Sequence, residues 1–158
     1  MIKRLFLLIA TLCFSLAFAQ QKEQRVALVI GNGAYKASPL KNPINDATDM
    51  AQALRDKGFQ VILKTNASRR QMVESVRDFG NQIKRGGVGF FYYAGHGIQS
   101  KGRNYLVPVG VDVQSEADLE FETVDASMVL AQMDDAGNRV NIMVLDACRG
   151  HQVITASG

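Results

Sequence analysis

A chain of 158 residues suits one domain with a single sizeable core. With 47% hydrophobic and 21% charged residues, 14 Gly and only 3 Pro, it has neither a disordered nor a collagen-like composition, and no internal repeat or low-complexity segment interrupts it. The formal net charge of +3 falls to +1 once Lys3 and Arg4 are set aside, and the remaining basic residues do not gather in one patch, which argues against a nucleic-acid-binding surface.

Lys3 and Arg4 precede an apolar run from Leu5 to Leu16, and Ala17-Phe18-Ala19 follows as an A-x-A cleavage site. The run is about a dozen residues, short of the roughly twenty that cross a bilayer. Residues 1–19 therefore read as a signal peptide, residues 20–24 as a short N-terminal segment, and the mature protein as exported, periplasmic or secreted, without a stable membrane anchor. Cys13 leaves with the signal, so Cys148 becomes the one thiol of the mature chain. A lone Cys in an oxidising compartment is an intermolecular partner or a free reactive thiol.

Val26-Ala27-Leu28-Val29-Ile30 has the continuous apolar character of a strand buried on both faces. Asn42 as N-cap and Pro43 at the first helical position open a helix whose apolar stripe is Ala47, Met50, Ala51 and Leu54, with Gly58 closing it. Gln60 to Leu63 forms a short strand, and Ser68-Arg69-Arg70-Gln71 has the form of a capping box. Behind that box, Met72, Val76, Phe79 and Ile83 make a second helical stripe ending at Gly86-Gly87. Val88 to Tyr93 is the third strand, and Tyr105-Leu106-Val107 a short extra one that Pro108 ends. A third helix carries Ala126, Val129, Leu130 and Met133 and closes at Gly137, and Val140 to Leu145 is the last strand, read as apolar like the first. The alternation predicts an α/β fold, a mostly parallel sheet with helices on both faces. Gly97 to Asp125 is the longest irregular stretch and the expected functional loop.

Two strands run straight into chemically capable residues. Val88–Tyr93 leads into Ala94-Gly95-His96-Gly97, and Val140–Leu145 leads into Asp146-Ala147-Cys148-Arg149-Gly150. Both segments emerge at the carboxyl edge of one parallel sheet, where open α/β folds place their sites. A buried thiol at a strand end is commonly a small hydrophobe, and a His in a Gly-rich turn commonly satisfies a loop hydrogen bond. Neither of these bland readings predicts the other residue. An imidazole beside a thiol generates the thiolate nucleophile. The backbone N–H groups of Gly97 and Cys148, expected on turns beside the reacting atoms, are the candidate oxyanion donors. No third, orienting side chain is legible.

The segment Asp146-Ala147-Cys148-Arg149-Gly150, with His96 about 50 residues upstream, resembles the Q-A-C-[RQG]-G signature of caspases. Tyr92-Tyr93-Ala94-Gly95-His96-Gly97 is similar to the His motif of caspases and metacaspases. Arg25 to Asn32 and Asn45-Asp46-Ala47 resemble the bacterial, metacaspase-like branch. This resemblance spans roughly Arg25 to Gly150. It implies a caspase-hemoglobinase fold over residues 25–150, His96 and Cys148 as catalytic dyad, and a cysteine-type endopeptidase acting on peptides or proteins. In this family the residue two before the nucleophile lines the pocket for P1, the residue that supplies the cleaved carbonyl. Here it is Asp146, and Asp46 matches the acid that metacaspases pair with it. Two carboxylates would select Arg or Lys and repel Asp. Asp46 also fits a plain helix N-terminal acid, and Asp49 is a nearby alternative. Ala94 stands where some metacaspases carry a pocket Ser.

Residues 151–158 read as a short tail in place of the small-subunit region that caspase-like enzymes normally add. The expectation that follows is a partial chain, a separate small-subunit-like partner or a dimer, or a catalytically incomplete module acting in protein–protein interaction, with the last strand left as a sheet edge. Gly31-Asn32-Gly33 is no dinucleotide fingerprint, because the third glycine position holds Lys36. One Cys and two His, with His151 in the tail, make no zinc site. Asp112, Glu116, Asp118, Glu120 and Glu122 offer a weak calcium reading but lack a regular ligand loop, and a solvated acidic stretch suits them better. No cofactor is expected.

Overall fold

The computed structural model describes residues 23–83 and 87–149, with Cys148 and Arg149 described by their backbone alone. The expected signal peptide and the tail of residues 151–158 lie outside these residues. Six strands and four helices are present among them: β1 Arg25–Gly31, α1 Pro43–Asp56, β2 Gln60–Thr65, α2 Arg69–Gln82, β3 Val88–Ser100, β4 Arg103–Leu106, α3 Asp118–Glu122, β5 Val124–Asp125, α4 Ala126–Asp135 and β6 Val140–Arg149.

The sheet is mixed and mostly parallel. β1 pairs in parallel with β2 and with β3, and β3 pairs in parallel with β6. Beyond the end of β1, β3 continues and takes β4 as an antiparallel neighbour, and β4 in turn takes β5. Gly97 pairs with both Leu106 and Arg149, so β4 follows β1 along one side of β3 while β6 holds the other.

Side-chain alternation along the strands divides the core into two layers. Val26, Leu28, Ile30, Phe91 and Tyr93 meet Met72, Val76 and Phe79 of α2 and Val129 and Met133 of α4. On the opposite face Ala27, Val29, Tyr92 and Ala94 meet Ala47, Ala51 and Leu54 of α1. The α/β fold with helices on both faces is thus as expected. The capping box of α2 also forms: the Ser68 hydroxyl accepts from the Gln71 N–H, and the Gln71 side chain accepts from the Ser68 N–H at 2.9 Å. Its stripe residue Ile83 is the first residue past the helix.

Several local expectations need correction. Asn42 has helical backbone angles and makes no side-chain cap, so Pro43 alone preorganises the start of α1. Leu130 is 43% exposed, because the buried stripe of α4 is Ala126, Val129 and Met133. The stretch from Gly97 to Asp125 is not one irregular loop: it holds the end of β3, all of β4, a single turn of α3 and the two-residue β5. Most consequentially, β3 and β6 do not stop at Tyr93 and Leu145. Each runs on through its His or Cys segment, because ladder pairing with a neighbour continues there. Gly97 and Cys148 accordingly sit in strands, not turns.

Candidate active site

The parallel register of β3 and β6 places Ala94 opposite Asp146, Gly95 opposite Ala147, and His96 opposite Cys148. Residues far apart in the chain are thereby neighbours at the carboxyl end of the sheet. The glycines beside His96 matter for space, not for a turn. A Cβ on Gly95 would lie 2.6 Å from the Tyr93 Oη and 2.7 Å from the Tyr35 Oη, and one on Gly97 would lie 2.8 Å from the Ala147 Cβ. Real Cβ atoms do not approach so closely, so larger residues would push the strands and the tyrosines apart.

The segment between β1 and α1 wraps back over His96. Its base is tied down by two asparagines. The Asn32 Oδ1 accepts from the Ala67 N–H at 2.8 Å, and the Asn66 Oδ1 accepts from the N–H groups of Gly33 and Ala34, both at 3.0 Å. The Leu40 N–H closes the loop on the Gly33 carbonyl at 2.9 Å. Ser38 is so placed that its backbone carbonyl lies 2.7 Å from His96 Nε2. A carbonyl can only accept, so Nε2 carries a proton, and in the neutral ring Nδ1 is the nitrogen that keeps its lone pair. Sequence reasoning missed this orienting group, and no residue type could have signalled it, since every residue carries the same backbone carbonyl.

Beneath the imidazole, the Tyr35 ring packs at 4.4 Å between centroids, and its hydroxyl accepts from the His96 N–H at 3.1 Å. The same hydroxyl donates to the Val107 carbonyl at 3.0 Å and lies 3.2 Å from the Tyr93 hydroxyl. Burial holds both phenols above their ordinary pKa, so they stay neutral hydrogen-bonding groups.

A cavity of about 320 Å³ opens beside this assembly, lined by Asp46, Asp146, Ala94, Gly95, Lys41 and the start of α1. Nearby, α1 begins hard against the end of β1: a Cβ on Gly31 would lie 2.6 Å from that of Ala47. Asp46 lies in the first turn of α1, where the helix dipole favours a negative charge. Asp49 is exposed and is not part of this lining. The Tyr92 hydroxyl donates to Asp146 at 3.2 Å. Burial first, then the charge of Asp146 and the hydrogen bond to it, then the charge of Asp46, push the Tyr92 phenol up to about 12. Tyr92 thus feels both carboxylates.

The acidic stretch has other partners. Glu116 meets Ser100 and Lys101, Asp118 accepts from the N–H groups of Gln114 and Ser115, and Glu120 faces Arg103 at 3.8 Å. Among the described residues, no three His, Cys, Asp or Glu stand together as a metal site.

The family profile for the caspase domain matches residues 24–157. The chain is 30% identical over 128 residues to the human mucosa-associated lymphoid tissue lymphoma translocation protein 1, a match covering 80% of this chain and 15% of that protein. It is 27% identical over 133 residues to mouse caspase-1, covering 81% of this chain and 32% of caspase-1. Among solved structures, protein GSU0716 from Geobacter sulfurreducens superposes with a TM-score of 0.55 at 21% identity, over 77% of this chain and 50% of that one. The chain thus spans under a third of the curated relatives it matches, and it belongs to the caspase domain family of cysteine-type peptidases.

Proposed function

We propose that this domain hydrolyses peptide bonds after Arg or Lys, with Cys148 as nucleophile and His96 as its base. Nδ1 of His96 takes the thiol proton, and the thiolate attacks the substrate carbonyl carbon. The tetrahedral adduct collapses to a thioester as the imidazolium protonates the departing amine. Water, deprotonated by His96, then cleaves the thioester to a carboxylic acid and restores the thiol. The Ser38 carbonyl holds the imidazole in the tautomer this needs. The N–H groups of Gly97 and Cys148 are the proposed donors to the oxyanion.

The observation that carries the basic specificity is the shared lining of one cavity by Asp46 and Asp146, directly along β3 and β6 from the His96–Cys148 pair. A guanidinium or ammonium group there meets two carboxylates, whereas an Asp side chain meets like charge. Lys41 lies in the same lining and offsets part of that field. The test is hydrolysis of fluorogenic peptides ending in Arg, Lys or Asp by the full chain and by Cys148→Ala. Cleavage after Arg and Lys, absent from Cys148→Ala and at least tenfold weaker in Asp146→Asn, is the expected result. Cleavage after Asp would overturn the specificity, and activity surviving in Cys148→Ala would overturn the mechanism.

A second reading has its own observation. Val140, Ile142 and Val144 of β6 are 41%, 38% and 37% exposed, on a strand that pairs only with β3 among the described residues. That face suits a small-subunit-like partner or a second copy, and a folded protein silent toward every peptide would favour a module that works only in such an assembly.

A further inference from the structure

β3 changes partners at the histidine. On one side its ladder with β1 ends at Ala94, opposite Gly31, and its ladder with β4 begins at Gly97, opposite Leu106. Gly95 and His96 lie between, with β6 as their strand partner. The Ala94 carbonyl accepts from the Asn32 N–H and the His96 carbonyl from the Val107 N–H, so the even-numbered residues turn their polar groups away from β6. The His96 N–H thus faces a gap where neither ladder supplies an acceptor, and a buried N–H left unpaired is costly.

Two buried phenols fill the gap. The Tyr35 Oη stands 3.1 Å from the His96 nitrogen and 3.0 Å from the Val107 carbonyl oxygen. The Tyr93 Oη stands 2.8 Å from the His96 carbonyl oxygen and 2.9 Å from that of Val107. Each phenol has one hydrogen to give. With Tyr93 donating to His96 and Tyr35 to Val107, every group has a partner, and a lone pair on the Tyr35 oxygen is left for the His96 N–H. The Tyr35 ring lies against the imidazole, and further along the same loop the Ser38 carbonyl holds Nε2. One short stretch, Tyr35–Ser38, therefore grips His96 by its backbone, its ring face and its ring edge. We propose that Tyr35 is a positioning residue of the reaction, its hydroxyl fixing the seat of His96 in β3 and so the point at which Nδ1 is presented to Cys148. The proposal rests on the peptidase reading above, and Tyr35 acts only through His96.

The test compares Tyr35→Phe with Tyr93→Phe, each of which removes one buried hydroxyl and keeps the ring. Tyr35→Phe deprives the His96 N–H of its acceptor, whereas after Tyr93→Phe the His96 carbonyl keeps the Val107 N–H. On a fluorogenic peptide ending in Arg, Tyr35→Phe should lower kcat about tenfold with KM held within about twofold, the mark of a misplaced reacting group. Tyr93→Phe should lower kcat by about threefold at most, although both variants lose stability to urea. A kcat that Tyr35→Phe lowers no more than Tyr93→Phe does would make the hydroxyl pair merely structural and overturn the proposal. A second measurement needs no turnover: the rate at which iodoacetamide alkylates Cys148, followed by the mass of the Cys148 peptide. At about pH 6.5 His96→Ala should slow alkylation about tenfold, because less thiolate forms, and Tyr35→Phe should slow it about threefold. If no peptide is cleaved yet both variants slow alkylation, the hydrolysis reading falls and the positioning role stands. If His96→Ala slows alkylation and Tyr35→Phe does not, the positioning role falls and the dyad stands. If His96→Ala changes nothing, the dyad falls and the role of Tyr35 with it.

Discussion

β1 and β6 flank the same strand and present similar sequences, yet they end in different surroundings. Val26 to Ile30 of β1 are wholly buried, with β2 and β3 on either side, α2 on one face and α1 on the other. In β6 only the odd-numbered residues find cover: Met143, Leu145 and Ala147 pack against the main core, while Val140, Ile142 and Val144 do not. The reason is the reach of α1, which lies over β1, β2 and β3 but not over β6. A strand's apolar run states what it is able to bury, and its neighbours decide what it does bury. The proposed chemistry falls to the less covered strand: β6 carries Asp146 and Cys148, and β1 positions the loop that reaches His96.

The sharpest way to break this contrast is a pair of truncations. Leu28→Ala, in the covered strand, should cost about 2–5 kcal/mol of unfolding free energy, whereas Ile142→Ala should cost under about 1 kcal/mol, both read from urea denaturation. Equal losses would mean that the open face of β6 is covered in solution. A subtler outcome is expected from Ile142→Lys combined with Val144→Lys. Sedimentation should show weaker concentration-dependent self-association, with stability changed by no more than about 1 kcal/mol, because edge charges disfavour strand addition. Unaltered association would place the contact elsewhere.

The smallest effect concerns Tyr92, whose hydroxyl joins β3 to β6 through Asp146. Its folded pKa is raised to about 12 from an ordinary 10.0, so the neutral phenol is favoured by folding. Its contribution is fully present below about pH 10 and is lost as pH rises from there through about 12. Tyr92→Phe should therefore lose less stability than the parent protein between about pH 9 and 11.5, measured by urea midpoints. Parallel loss in both proteins would show that Tyr92 does not titrate in that range.

The layers, the five longer strands and the two main helices on either side of the sheet were legible because apolar periodicity and the Ser68 capping box are local signals. His96 and Cys148 were legible as a pair because each follows a strand of the same sheet. The continuation of β3 and β6 through them was not, since Gly95 and Gly97 disfavour strands locally and only pairing with β4 and β6 overrides that. The single turn of α3 and the two residues of β5 are too short to carry a period. Asn141, the one polar residue in the β6 run, is exposed and faces Asn138, a sign that this strand was unlike β1. The Ser38 carbonyl belongs to the backbone and leaves no mark on residue identity.

The unbroken ladder between β3 and β6 also constrains how this chain can change length. Val88 pairs with Val140 and His96 with Cys148, so the two segments are counted off step for step. Deleting one residue from either alone would bring Ala147 or Arg149 opposite His96 instead. Insertions and deletions should therefore be tolerated between β4 and α3, where no ladder keeps count, and rejected between Val140 and Cys148 unless β3 changes by the same number.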